Sequence, residues 1–214
     1  MSSVKIKVLI ADDHAIVRRG LRQILSDIPD LEVAGEAGDG VEAVTQARTQ
    51  PWDVMLMDVS MPERNGIDAL KIIRKEFPRQ PVLILSMYPE DQYAIRALKA
   101  GAAGYLTKQS APEQLVHAIR QVASGRKYVS AALAQQLAEA ITDDSERPAH
   151  EKLSDREYQT LCMIASGKTL TQIAEALSLS VKTVSVYRAR LLEKMKLHNN
   201  AELTHYGLKH GLVE

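Results

Sequence analysis

The sequence predicts a doubly wound α/β domain with a five-stranded parallel sheet, followed by a small all-α domain of the helix-turn-helix kind. Three observations lead there. Short apolar runs ending in polar or charged residues alternate five times with segments of helical periodicity, the pattern of a parallel sheet covered on both faces. A polar stretch without apolar period follows, and beyond it the periodicity is helical throughout. At 214 residues, the chain is long enough for two compact units, each with its own core.

The first strand is read in Val4-Lys-Ile-Lys-Val-Leu-Ile10, and His14 to Ile28 carries apolar residues at helical spacing until Pro29 stops it. Leu31 to Glu36 alternates as a strand, Gly38 to Gly40 turns, and Val41 to Arg48 forms a helix whose expected inner face is Val41, Val44 and Ala47. The apolar run Asp53 to Asp58 is the third strand. A helix Gly66 to Phe77, a strand Pro81 to Ser86, a helix Glu90 to Ala100, a strand Ala103 to Thr107 and a helix Pro112 to Ser124 complete the alternation. Right-handed crossovers make the sheet doubly wound. The expected domains are residues 1–125, a linker over 126–152 with a short helix Ala131 to Ile141, and a second domain over 153–214. In that second domain the spacing predicts helices Asp155 to Ser166, Leu170 to Leu177, Val181 to Met195 and Ala201 to His210. Ser178-Leu-Ser180 is so tight a junction that the second and third of these read as helix-turn-helix.

Hydrophobic residues at 45% and charged residues at 25% are the proportions of an ordinary soluble globular protein. No apolar run is long enough to span a bilayer and the start is not signal-like, so the expected location is the cytoplasm, with no membrane partner. The one cysteine, Cys162, sits among Leu161, Met163 and Ile164 and reads as a small core residue. The formal charge is zero, yet from Lys152 onward nine Lys and Arg stand against six Asp and Glu. That end of the chain is suited to a polyanion.

The chemistry gathers at strand ends. Asp58 closes an apolar run, Asp12 and Asp13 follow the first strand, Ser86 closes the fourth and Lys108 follows the fifth. Any one of these alone is an ordinary turn, cap or surface residue. Open α/β sheets bring the carboxyl ends of their strands to one edge, however, and three carboxylates held together there call for a cation. Such a set suits phosphoryl transfer: a cation of the Mg²⁺ type and the Lys108 ammonium neutralise the moving group, and Ser86 hydrogen-bonds another of its oxygens.

These residues, Asp12-Asp13, Asp58-Val-Ser-Met-Pro62, Ser86 and Ala102-Ala-Gly-Tyr-Leu-Thr-Lys108, resemble the receiver domains of two-component response regulators, of flavodoxin-like fold, over about 120 residues. The resemblance implies that Asp58 accepts phosphate from a sensor histidine kinase, and that Asp12, Asp13, Asp58 and the Ser60 carbonyl bind Mg²⁺. It makes Ser86, Tyr105 and Lys108 the phosphate-binding and switch residues, Ser86 moving inward on phosphorylation and Tyr105 following. Many receivers carry proline after the lysine; here it is Gln109.

The second domain resembles the NarL/FixJ family of LuxR-type helix-turn-helix domains through Leu153-Ser-Asp-Arg-Glu157, Ile173-Ala-Glu-Ala-Leu177, Ser180-Val-Lys-Thr-Val184 and Leu192-Glu-Lys-Met-Lys-Leu197. Tyr187-Arg-Ala-Arg190 and His210-Gly-Leu-Val213 look most like its GacA/UvrY branch. Val184, Leu191, Leu192 and Met195 are available for a core, and the other face carries the charge. A helix of this size fits the DNA major groove, where the resemblance places Ser185, Val186 and Ala189 toward base edges. Lys182, Thr183, Tyr187, Arg188 and Arg190 are the expected phosphate contacts.

The leading reading is therefore a phosphorylation-controlled transcriptional regulator of a two-component system that binds double-stranded DNA, forms a homodimer when phosphorylated, and is not an enzyme. The competing reading is a phosphatase-like hydrolase with Asp58 as nucleophile. Enzymes of the haloacid-dehalogenase type carry a second acid two residues on, where this chain has Ser60. A scaffold built on an inert receiver is disfavoured because the acids and Lys108 are all present.

Overall fold

The computed structural model describes residues 5–88, 90–135 and 148–213. Its contacts divide the chain into two compact units, Met1–Ile141 and Thr142–Glu214. The first alternates β1 (Ile6–Ala11), α1 (Ala15–Ser26), β2 (Leu31–Ala37), α2 (Gly40–Thr49), β3 (Val54–Asp58), α3 (Gly66–Glu76), β4 (Val82–Ser86), α4 (Glu90–Lys99), β5 (Gly104–Thr107) and α5 (Pro112–Ala123). All pairings are parallel, in the order β2-β1-β3-β4-β5. The five strands and five helices expected here are thus in place, with ends shifted by a residue or two.

Strand pleating divides the core into two layers. Val8, Ile10, Leu56, Leu83, Leu85 and Leu106 pack with Leu25 of α1 and with Leu115 and Ile119 of α5. The alternate residues Leu9, Met55, Met57, Ile84 and Tyr105 are equally buried, as are Ile67, Leu70 and Ile73 of α3. Side chains this apolar, buried on both faces, explain why the strands read as nearly unbroken hydrophobic runs.

Two expectations are corrected in this unit. Val41 is 44% exposed, and the inner face of α2 is Gly40, Ala43, Val44 and Ala47. Gly40 fixes that rotation, because a Cβ there would lie 2.2 Å from the Arg64 carbonyl oxygen; the chain at Arg64 packs directly on the helix start. Residues just past Gly125 also stay with the sheet instead of leaving it as a linker. The Tyr128 N–H donates to the Ala103 carbonyl at 2.8 Å, Tyr128 bridges Gly104, and Leu133 is fully buried. Residues 131–135 are helical as expected; the remainder of that helix, and the linker as far as Arg147, lie outside the described residues.

Among its described residues the second unit holds a 3-10 turn Ala149–Lys152 and four helices, α6 (Asp155–Ala165), α7 (Leu170–Ala176), α8 (Val181–Met195) and α9 (Asn200–Lys209). Capping residues set the boundaries. Ser154 with Glu157 and Thr169 with Gln172 form capping boxes, while Ser180 and Asn199 cap α8 and α9 through their side chains. The turn between α7 and α8 passes through Ser178 at φ 52°, left-handed backbone for a residue other than glycine. Leu161, Ile173, Val184, Leu191 and Leu203 form the buried centre. Leu192 is only half-buried, so the inner row of α8 is Val184, Leu191 and Met195.

Candidate functional site

The β2-β1-β3 order places the reversal of the sheet between β1 and β3, and the carboxyl ends of those strands deliver Asp12 and Asp58 side by side. Both are buried, at 1% and 3% exposure. Lys108, just beyond β5, reaches across to them: its Nζ lies 2.6 Å from Asp12 Oδ2 and 3.1 Å from Asp58 Oδ2. Its backbone N–H donates to the Ser86 carbonyl at 2.7 Å, which extends the β4–β5 pairing and aims the side chain. The start of α3 closes the edge from another side, because Gly66 packs so tightly that a Cβ would lie 1.9 Å from the Asp58 carbonyl oxygen.

Burial governs the electrostatics. It pushes the Asp58 carboxyl up to about 6; Lys108 opposes the rise, and the charges of Asp12 and Asp13 add to it. Burial alone would lower the Lys108 ammonium, but the charges of and hydrogen bonds to Asp58 and Asp12 outweigh it and raise its pKa.

Asp12, Asp13, His14 and Asp58 bring one possible ligand atom each to within 4.8 Å of one another. Asp12 Oδ1 accepts the His14 backbone N–H at 2.8 Å. Asp13 Oδ1 is buried without a well-formed hydrogen bond, although His14 Nδ1 stands 2.8 Å away. The separation is that of a contact and the orientation is not that of a hydrogen bond. Clustered oxygens, one of them orphaned, match the demand of a small hard cation.

Ser86 and Tyr105 continue the edge. Ser86 is fully buried and its Oγ accepts the Tyr88 N–H at 3.1 Å. The Ser86 hydroxyl also hydrogen-bonds the Tyr105 phenol, which partly offsets the effect of burial on that phenol. The Tyr105 ring is fully buried and its hydroxyl donates to the Tyr88 carbonyl at 2.8 Å; burial pushes this phenol well above the usual tyrosine range. Both side chains are therefore already inward, and an inward swing of Tyr105 is not needed to bury it. Tyr88, in turn, stacks on Tyr93 with ring centroids 4.6 Å apart. The Lys108–Gln109 peptide is trans like every other described, and Ser110 N–H closes the following turn on the Thr107 carbonyl at 3.0 Å.

In the second unit, α8 presents Lys182, Ser185, Val186, Ala189 and Arg190 to solvent, with Thr183, Tyr187 and Arg188 half-buried beside them. Val186 is 42% exposed, an apolar residue left outward on a helix that has buried others. Arg188 Nε donates to Asn200 Oδ1 at 2.6 Å, which fixes the guanidinium against the start of α9. Lys194, by contrast, is committed inward: its Nζ lies 2.6 Å from the buried carboxylate of Glu157. Burial works to raise Glu157, but hydrogen bonds from Lys194 and Ser154 prevail and hold it below the usual carboxylate range.

Residues 8–120 match the response regulator receiver domain, and residues 151–207 match the luxR family of bacterial regulatory proteins. The chain belongs to the LuxR-type response regulators. Response regulator UvrY of Escherichia coli K12 is 42% identical over 208 residues, covering 97% of this regulator and 95% of that protein. Response regulator GacA of Pseudomonas aeruginosa is 40% identical over 210 residues, 98% of each chain. Among solved structures, RcsB from Salmonella enterica serovar Typhimurium, bound to promoter rprA with phosphomimetic BeF3⁻, matches at a TM-score of 0.63 and 27% identity over 94% of this chain and 98% of that one. The regulator is thus a phosphorylation-dependent, DNA-binding regulator of transcription, and the fold and family expected from its sequence hold.

The structure brings Asp12, Asp13, Asp58, Ser86, Tyr105 and Lys108 of the regulator to one sheet edge, with Ser60 in the loop after β3. Of the eight expected α8 residues, Lys182, Ser185, Val186, Ala189 and Arg190 are exposed and Thr183, Tyr187 and Arg188 half-buried, around the helix away from its buried row. Sequence reasoning missed His14, Tyr88 and Asn200. His14 was signalled by standing directly after two acids, whereas nothing local marks a tyrosine whose backbone alone is used.

Proposed function

We propose that Asp58 is the phosphoryl acceptor of this regulator and that a sensor histidine kinase is the donor. The observation that carries the reading is the Lys108 ammonium held by both Asp12 and Asp58 at the sheet edge. It is a counter-ion positioned to turn to a phosphoryl oxygen once one is attached to Asp58. Asp12, Asp13, Asp58 and the Ser60 carbonyl are the groups that would hold Mg²⁺, which when bound neutralises charge on the transferring phosphoryl group. Ser86 Oγ accepts from Tyr88 N–H, and its own hydroxyl, which also meets the Tyr105 phenol, would donate to another phosphoryl oxygen. Asp58→Asn preserves shape and removes the nucleophilic anion. Incubated with Mg²⁺ and labelled acetyl phosphate, the variant should incorporate no label; undiminished labelling would place the acceptor elsewhere.

For DNA, Ser185, Val186 and Ala189 are assigned to base edges, and Lys182, Thr183, Tyr187, Arg188 and Arg190 to phosphates. That all eight lie away from the buried row of α8, five of them exposed, supports this. Phosphorylation is assigned to favour a homodimer that places two α8 helices on a two-fold site; relatives in the RcsB structures sit on DNA as dimers. The regulator is assigned to the cytoplasm, and none of its described helices is long and apolar enough to cross a membrane. A hydrolase of the haloacid-dehalogenase type would carry a second acid where Ser60 stands, which weighs against an enzymatic role for the regulator.

A further inference from the structure

Opposite the phosphoacceptor edge, at the amino ends of β4 and β5, a cleft of about 420 Å³ is lined by Arg74, Arg79, Arg126 and Lys127 over a floor that includes Pro81, Ala102 and Val122. Among the described residues, none of these four cations is paired with a carboxylate. The ordinary role of cations here is to offset the carboxyl ends of helices, and α3, α4 and α5 all end nearby. Three helix ends supply only about 1.5 negative charges in total, so roughly 2.5 positive charges remain unanswered. Two of the three arginines are also placed: Arg126 Nε donates to Ser124 Oγ at 3.2 Å, and Arg74 lies along Gly101, where a Cβ would come within 3.0 Å of its Nε.

A second groove, of about 640 Å³, adjoins the first and shares Pro78 and Arg79 with it. It is lined by Trp52 and Phe77, the only tryptophan and the only phenylalanine of the chain. Trp52 is buried and Phe77 is half-exposed. The acid of this groove, Glu76, is occupied by Arg48 at 2.6 Å, so it leaves the cations uncompensated. Both grooves are of the order of small-molecule sites. Three guanidinium groups favour phosphate oxygens, which they meet in pairs; a half-exposed aromatic ring beside them favours a planar base.

We propose that the two grooves form one nucleotide site, with a base against Phe77 and a di- or triphosphate spread over Arg79, Arg74, Arg126 and Lys127. The lone Trp52 at its wall reports occupancy through its fluorescence. The test uses the full chain in EDTA, which keeps divalent cations from the acid cluster, titrated separately with ATP, GTP, tripolyphosphate and a 20-base-pair duplex of arbitrary sequence. ATP or GTP should change Trp52 emission saturably at micromolar concentration. Arg79→Ala and Arg126→Ala should each weaken binding at least about tenfold, the loss of one hydrogen bond to a charged group. Phe77→Leu should weaken nucleotide binding and leave tripolyphosphate unchanged, while Lys182→Ala with Arg190→Ala on α8 should leave nucleotide binding intact. Unchanged melting temperatures certify the folding of each variant. No saturable response to either nucleotide, equal affinity for tripolyphosphate, or a loss in the Arg79 variant confined to the duplex would each overturn the assignment.

Discussion

Asp58 shows how one buried side chain sets both reactivity and stability. Its pKa is pushed from 3.8 to about 6, so the folded protein holds this proton to higher pH than the unfolded chain does. Stability contributed by the neutral form is therefore lost as pH rises from about 4 to about 6, and stays lost above it. A shift of about two units corresponds to about 3 kcal/mol. Asp58→Asn removes that loss, and without divalent cations at pH 7.5 it should raise the receiver's melting temperature by several degrees. The two proteins should converge below about pH 4, and Mg²⁺ should stabilise the natural protein more than the variant. A variant that melts no higher at pH 7.5 would show that the carboxylate is not destabilising. Such residues were legible because each stands where an apolar run ends, a position that sequence reveals directly. Tyr88 was not, since its contribution is a backbone N–H and carbonyl shared between Ser86 and Tyr105.

At the level of elements, the alternation of strand and helix was readable because β3 and β4 are buried throughout while the edge strand β2 alternates, and the helices of the second unit because their apolar residues recur at helical spacing; Ser154, Thr169, Ser180 and Asn199 cap them in the structure. Rotation of a helix about its axis was less readable. Val41 is spaced correctly for the α2 core, yet close backbone packing at Gly40 turns it outward. The same limit applies to α8, where the sequence lists five possible phosphate contacts but does not show which are held in place. Arg188 is, by Asn200 at 2.6 Å. Arg188→Ala should weaken DNA binding about equally across sequences and lower the salt slope by roughly one unit if one phosphate contact is lost. Asn200→Ala should act in the same direction and less strongly, by freeing the guanidinium. Base preference should follow Ser185 and Ala189 instead. A change of preference at one base pair in the Arg188 variant, with the salt slope intact, would assign that arginine to base readout.

For the whole molecule, the question is how phosphate in one unit changes binding by the other. A single α8 offers Lys182, Arg188 and Arg190, since Lys194 is tied to Glu157; three cations on one short helix are few for tight binding at physiological salt. Two copies on a two-fold site double the contacts, so dimerisation and DNA affinity are linked, and whatever favours the dimer must favour the complex by the same factor. With Asp58 as the proposed acceptor, phosphorylation adds about 1.5 to 2 negative charges there, beside a Lys108 whose backbone is bonded to Ser86. Recruiting the Ser86 hydroxyl strains its bond from Tyr88 N–H, and Tyr88 carries both the Tyr105 hydroxyl and the Tyr93 ring. On the proposed reading the signal passes through the segment after β4, and Tyr105, already buried, has no inward move to make. Beryllofluoride with Mg²⁺ should therefore raise the dimer fraction and the affinity for a palindromic site together. Ser86→Ala should still take phosphate at Asp58 but gain neither. Sedimentation and DNA titration on the same sample decide the matter: a natural protein that stays monomeric with unchanged affinity, or a Ser86 variant that responds in full, would break the proposed link.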